Sequence, residues 1–281
     1  MQVEGAVAVV TGGASGIGRA TVMELARRGA DVVAVDIHEE RLEEVRVAVE
    51  ELGRRVLTIR CDVAYDDDVE RMRHEVLEEM GRVDIVMNNA GVAVMGPPET
   101  ISMQDWDWVL QVNLFGVIRG VRAFLPHMLE RGSGHIVNTS SLAGLYAYNW
   151  DTIPYITGKF GVAGFTEGLA LYTRPHGVGV SLVCPGLVDT NLGEMSRVAG
   201  VEDPAQWLKG FPLDDPAMAP EAVATLVCDA IAEDRFLVLT NPDTVKERVQ
   251  ARAADHDAFI DDMIGRLETP PNLHRREPGA S

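Results

Sequence analysis

The sequence predicts an α/β fold: a doubly wound, seven-stranded parallel sheet with helices on both faces, in a single domain. Three observations predict it. Strand-length apolar bursts alternate with helix-length segments along the chain. The bursts are continuously apolar, as strands buried on both faces must be. A glycine cluster follows the first burst directly, at the strand-to-helix turn where such sheets bind phosphates.

Each element has its own signature. "AVAVVT" (6–11) is the first strand, and "ATVMELARRGA" (20–30) is a helix closed by Gly29. "DVVAVD" (31–36) is strand two, followed by an amphipathic helix, "EERLEEVRVAVEELG" (39–53), that stops at Gly53. "RVLTIRCDV" (55–63) is strand three, "DDVERMRHEVLEEMG" (67–81) a helix and "VDIVMNNAG" (83–91) strand four. Residues 103–132 read as one long helix, 134–141 as strand five and 153–175 as a helix rich in small residues. "GVSLVCPG" (179–186) and "RFLVLT" (235–240) complete the sheet. Residues 1–240 are thus one unit. Within it, 187–220, rich in Gly, Pro and Met, is an insertion that reads as a substrate lid. Residues 241–281 form a C-terminal helical extension ending in a disordered tail.

Composition excludes several classes. With 43 acidic and 25 basic residues the net charge is −18, so nucleic acid and anionic membranes are not expected partners. No apolar run reaches the roughly 18 residues of a membrane span. "MQVEGAVAVVTGG" is not a signal peptide, because Glu4 and two glycines interrupt it. Cys61, Cys184 and Cys228 form no CxxC pair and the histidines show no HxH or HExxH spacing, so no metal site is expected. A cytoplasmic protein is the expectation.

"TGGASGIG" (11–18) places Gly12, Gly16 and Gly18 where a backbone must turn tightly and approach a pyrophosphate, with Ser15 and Ile17 between them. Asp36 closes strand two, 18 residues after Gly18. A carboxylate there accepts the adenosine ribose hydroxyls and repels a 2′-phosphate. Neither Ile37 nor Ser15 supplies a compensating positive charge. This favours NAD over NADP, with Arg19 the one basic residue near enough to weaken the preference.

The chain has three lysines against 22 arginines, and one of them, Lys159, follows Tyr155 by four residues inside an apolar helix. About 0.05 such pairs are expected by chance at this composition. On a helix the two share a face. An ammonium about 4–6 Å away lowers a phenol's pKa by roughly 1–3 units from its usual ~10. The pair is an acid/base device for an alcohol oxygen.

The ordered series "TGGASGIG", Asp36, "CDV", "NNAG", Asn113, "NTSS", "YITGK", "CPG" resembles the short-chain dehydrogenase/reductase family, NAD-dependent branch, over roughly residues 5–240. The spacing of Gly12, Gly16 and Gly18 is similar to that of the family's core branch, not of its sugar epimerases. The resemblance implies a Rossmann-type fold with Tyr155 as acid/base and Lys159 on the nicotinamide ribose. It implies Ser141 on the substrate oxygen and Asn113 joining a water to Lys159. Asp62 and Val63 would bracket the adenine. Asn89 and Gly91 would support the ribose. Pro185, Gly186, Val188 and Thr190 would line the nicotinamide end, with Thr190 on the carboxamide. Ser141 precedes Tyr155 by 14 residues where the family more often has 13. Ser140 is the alternative and lengthens the gap.

The expected function is NAD(H)-dependent interconversion of a secondary alcohol and its ketone. The alternative is a non-catalytic NAD-binding redox sensor or assembly subunit; a lyase or epimerase holding NAD is a third class. Leu142, Leu145, Tyr146, Tyr148 and Trp150, with Leu192, Met195, Trp207, Leu208 and Phe211, suggest a bulky apolar or aromatic substrate walled by 142–154 and 187–213. Arg197 is the only arginine there. Apolar helices over 103–131 and 153–174 suggest a homotetramer, or a homodimer.

Overall fold

The computed structural model describes residues 1–200 and 217–267. Strands β1 (Val7–Thr11), β2 (Asp31–Asp36), β3 (Val56–Arg60), β4 (Ile85–Asn88), β6 (Gly134–Thr139), β7 (Val178–Cys184) and β9 (Leu237–Leu239) form one sheet. Its order is β3-β2-β1-β4-β6-β7-β9, and every pairing is parallel. The chain starts at the centre, winds outward to β3, then crosses back to β4. The crevice between β1 and β4, at the strands' carboxyl ends, is where this topology holds ligands.

Successive side chains on a strand face opposite ways. Ala8 and Val10 of β1 therefore pack with α1 (Gly16–Arg27), α2 (Glu39–Glu51) and α7 (Pro220–Glu233). Val7 and Val9 pack with α3 (Asp66–Met80), α5 (Gly116–Arg131) and α6 (Ile153–Thr173). Each fully buried Val, Leu or Phe contributes about 1.5–3 kcal/mol relative to exposure. A strand carrying such residues on both faces is stable only between two helix layers.

The long helix predicted over 103–132 is broken. Helix α4 (Met103–Leu110) ends in a π turn, Gln111–Phe115, before α5 resumes at Gly116. The run Met103–Arg131 is long and apolar enough, by length and composition, to cross a membrane. Here Val121, Phe124 and Met128 of α5 lie buried in the core beneath the sheet.

Two strands were not foreseen. β5 (Ala93–Met95) and β8 (Ser196–Val198) pair in parallel as a separate two-stranded sheet. Residues 187–200 are thereby tied beside the β4 exit, and Val188 bridges to Met218. Only three residues long, neither strand has a periodicity to read. The C-terminal extension contains α8 (Pro242–Ala254) and α9 (His256–Arg266). The tail predicted at 269–281 lies outside the described residues.

Candidate active site

Strands β1 to β4, β6 and β7 all deliver predicted site residues at their carboxyl ends. After β1 the backbone turns through Gly12 (φ 65°) and Gly16 (φ 49°), left-handed conformations that side chains resist. A Cβ on Gly18 would collide with the Gly12 carbonyl and lie 2.7 Å from Asn89 Nδ2. Asn89 holds the loop from β4, its Nδ2 donating to the Thr11 carbonyl at 3.2 Å. Ser15, at the α1 N-cap, makes no side-chain capping bond, and the first turn, including Ile17, carries no acid. The first turns of α2 and α3 contain Glu39 and Glu40, and Asp66, Asp67 and Asp68. Alone among these three helices, α1 presents uncapped amides with no competing carboxylate, an N-terminus fit for a phosphate.

Asp36 is braced from two sides. Its Oδ2 accepts from Ala14 N at 3.2 Å; its Oδ1 accepts from Ile37 N at 2.8 Å and meets His38 Nδ1 at 2.9 Å. Oδ2 keeps acceptor capacity for a ribose hydroxyl. His38 is a contact that sequence reasoning missed, because its ring turns back two residues onto the carboxylate. Asp62 Oδ1 accepts from Ala64 N at 3.0 Å, and Val63 packs against Gly116. These groups fit an adenosine with free ribose hydroxyls.

At the other end, Gly186 N donates to Thr240 Oγ1 at 2.8 Å, and Leu142 N donates to the Pro185 carbonyl at 2.9 Å. Thr190 caps a short 3-10 turn, its Oγ1 accepting from Leu192 N at 3.4 Å. A Cβ on Gly16 would lie 3.1 Å from the Thr190 side chain. The glycine loop and the β7 exit therefore face each other across the crevice.

Tyr155 and Lys159 lie on α6 beside the β6 end, with Lys159 Nζ 5.4 Å from the Tyr155 ring centroid. Lys159 is buried and donates to the Thr139 carbonyl at 2.9 Å. Burial drives its pKa down to about 8. Burial likewise pushes the Tyr155 phenol up, while hydrogen bonding from Ser141 pulls it down. This corrects the expectation that the ammonium dominates: here desolvation is the larger influence on the phenol. Ser140 is turned away, donating to the Lys159 carbonyl at 2.8 Å. Ser141 Oγ accepts from Ala143 N at 3.1 Å and lies close enough to two phenols, Tyr155 and Tyr148, to pull the pKa of each down. The Tyr148 residue is 38% exposed, yet its hydroxyl end is desolvated and pushed up by burial beside Tyr155 and Asp151. Its pairing with Ser141 was not legible, because it depends on the loop's path.

The π turn buries Asn113 completely, against the β4–β5 connection. Its Oδ1 accepts from Val92 N at 2.8 Å and its Nδ2 donates to the Val92 carbonyl at 2.9 Å. A Cβ at Gly91 would lie 3.6 Å from Asn113 Oδ1 and 3.7 Å from Lys159 Nζ, so the two groups share one small space.

The expected substrate wall is mixed. Leu145 packs toward Leu182 and Cys184 on one side and Tyr146 on the other. Met195 packs with Val92, Val94 and Val109, Trp150 is half-buried, and Leu192 is exposed. Trp207 lies outside the described residues, as do Leu208 and Phe211. Arg197 pairs with Asp105 at 3.0 Å and stacks 3.8 Å from the Trp108 ring. An open, apolar groove of about 880 Å³ over β9 and α7, lined by Met218, Leu226 and Leu237, contains none of the catalytic candidates.

The signature of the family described as short chain dehydrogenase matches residues 6–199. A 3beta-hydroxysteroid dehydrogenase 2 of Eggerthella lenta is 33% identical over 222 residues, 78% of this chain and 85% of that one. D-threitol dehydrogenase of Mycolicibacterium smegmatis is 39% identical over 192 residues, 68% and 74%. The crystal structure of a short chain dehydrogenase/reductase from Burkholderia phymatum in complex with NAD superposes with TM-score 0.81. It is 33% identical and covers 97% of this chain and 99% of that chain. With its parallel sheet, its glycine turn and its tyrosine–lysine helix, the chain belongs to the short-chain dehydrogenase/reductase family.

Proposed function

We propose that the protein is an NAD(H)-dependent oxidoreductase that interconverts a neutral secondary alcohol and its ketone. The observation that carries this reading is the convergence of Tyr155, Lys159 and Ser141 at the end of β6, across the crevice from the glycine loop. Residues of the glycine loop, with Asp36 and Thr190, would hold the dinucleotide, which supplies the carbon that takes or gives hydride. Asp36 supports NAD over NADP, since its carboxylate would lie against a 2′-phosphate. In oxidation Tyr155 would act as the phenolate, its own proton first handed toward Lys159, and take the hydroxyl proton while the hydride and its electron pair leave the carbinol carbon for the dinucleotide. Ser141 donates a hydrogen bond to the same oxygen and holds it in line. Lys159 holds a positive charge beside the phenol and passes the proton on. The Asn113 amide is engaged with Val92, so its part in a relay would run through its backbone carbonyl, which lies within the π turn.

A neutral, bulky substrate is supported by Asp151, whose negative charge acts on Tyr148 beside the site, and by the engagement of Arg197 with Asp105. The insertion 187–220, of which residues 201–216 lie outside the described residues, would act as the lid. The non-catalytic alternative requires the glycine loop but not the tyrosine–lysine–serine cluster. A homotetramer, or a homodimer, is supported by Leu171 and Tyr172 of α6, 78% and 57% exposed. Light scattering at 30.6 kDa, one chain mass, would exclude it. Three buried free thiols, Cys61, Cys184 and Cys228, fit a reducing, cytoplasmic setting.

The deciding experiment follows NADH absorbance with a panel of phenyl-bearing and alicyclic secondary alcohols, a hydroxy acid and a polyol. We expect the highest kcat/KM for the apolar compounds. Preference for the charged or polyhydroxylated ones would overturn the pocket reading, and no turnover of any would favour the non-catalytic protein.

A further inference from the structure

The loop between Ser141 and Tyr155 has no helix or strand from Leu145 to Thr152. It carries the extra residue of the 14-residue spacing, so its shape must come from what it packs against. The next layer is the C-terminal helix pair, outside the stretch the family signature matches. Tyr146, Val245, Phe259 and Met263 form a small buried core of their own, with Leu142, Leu145 and Leu239 packed against it. The Tyr146 ring meets Phe259 edge-on at 6.1 Å and 81°, and meets Tyr148 at 6.5 Å and 69°. Such pairs add about 0.5–1.5 kcal/mol beyond burial and fix ring orientation. Phe259 is itself anchored, because Asp255 caps α9 by accepting from Ala258 N at 3.0 Å. Three rings thus run from α9 to the hydroxyl facing Ser141.

We propose that the C-terminal helix pair braces the active site: Phe259 seats Tyr146, Tyr146 orients Tyr148, and the Tyr148 hydroxyl is a positioning residue that holds Ser141 toward Tyr155. The proposal rests on the dehydrogenase reading. The brace touches the substrate side and, through Leu142, the turn at Pro185, but not the glycine loop or Asp36. Weakening it lowers the rate of chemistry and leaves dinucleotide affinity intact, since the glycine loop and Asp36 lie across the crevice. A catalytic hydroxyl misplaced by an ångström costs up to about a hundredfold in rate.

The test uses the full-length protein and the variants Phe259→Leu, Tyr148→Phe and the double substitution. Hydrogen exchange of 142–152 and of 12–19 is measured, with NAD affinity by fluorescence and kcat and KM for the fastest alcohol of the panel. Phe259→Leu should speed exchange in 142–152 and not in 12–19. Each single change should lower kcat about tenfold or more, with NAD affinity within about twofold, and the double should be no slower than the slower single. Unchanged exchange in 142–152, or effects that multiply in the double variant, would overturn the brace. Tyr148→Phe removes one hydroxyl from a partly exposed ring, so it carries the rate arm even where Phe259→Leu fails to fold; an unchanged kcat there refutes the positioning role. Tyr155→Phe separates the two ideas. If it stays active, the dehydrogenase reading fails. If it is dead while the other two effects multiply, only the brace fails.

Discussion

The two sides of the crevice are built differently. The proposed cofactor side is made mostly of backbone: two glycines in left-handed conformation, a third where no Cβ fits, uncapped amides of α1 and one carboxylate at a strand end. Its core lies within 25 residues, from Gly12 to Asp36, and Asn89 and Thr190 close on it from β4 and beyond β7. The proposed substrate side is made of side chains gathered from distant segments: Ser141 from the turn after β6, Tyr155 and Lys159 from α6, Asn113 from a π turn, and Tyr148 from a loop leaning on α9. The first side tolerates no change of shape. The second holds its groups in costly states, with a lysine and a phenol both desolvated.

The largest test of that contrast is Tyr155→Phe. It should lower kcat by about 10²–10⁴-fold while NAD affinity stays within a few-fold, read by steady-state kinetics and fluorescence titration. More than a tenth of the wild-type rate remaining would dissolve the division between the two sides.

Lys159→Met should remove activity yet raise stability at pH 7. Burial lowers the folded-state pKa to about 8 from an unfolded 10.5. The unfolded chain therefore binds more protons between these values, and wild-type stability climbs as pH rises from 8 to 10.5. Below pH 8 the whole burial cost is present. The expected gain for the variant at pH 7 is about 1–3 kcal/mol, after the lost bond to Thr139, and it should shrink across pH 8–10.5. Urea titrations at several pH values measure it. A less stable variant at pH 7 would mean that the lysine is structurally, not only chemically, required.

Gly18→Val should have the reverse signature. The new side chain meets the Gly12 carbonyl and Asn89, an overpacking that costs about 1–3 kcal/mol. NAD affinity should weaken by about ten- to a hundredfold, and saturating NAD should restore most of the kcat. A lost kcat at saturation would show that the sides are coupled through Asn89.

Asp36→Ala should narrow the preference for NAD over NADP in kcat/KM by about tenfold, the scale of one hydrogen bond to a charged group. An unchanged ratio would move cofactor choice to His38 or Arg19. The smallest expected effect is at the clasp between Arg41 of α2 and Glu194, which are 3.0 Å apart and largely solvated. Glu194→Ala should weaken NAD by less than about fivefold, as exposed pairs contribute about 0–1 kcal/mol. A larger loss would make the clasp part of the cofactor side.

Local chemistry by itself determined the alternation of strands and helices, the sheet's double cover, the glycine turn and the tyrosine–lysine pair. Each is written in a short window, as a period, a missing Cβ or an i,i+4 spacing. Helix caps at Gly29 and Gly53 were legible for the same reason, both taking positive φ just past a helix. Only the tertiary structure decided the rest. The π turn at Asn113 breaks a segment whose periodicity reads as uninterrupted helix, and the asparagine's clamp on Val92 holds it in place. The β5–β8 pair joins segments a hundred residues apart, with three residues on each side. Ser141 rather than Ser140 faces Tyr155 because the end of β6 turns Ser140 toward the α6 backbone. Tyr148 meets Ser141 through rings reaching from Phe259. These contacts depend on residues far apart in the chain being brought together by the packed core, and no local window contains both partners.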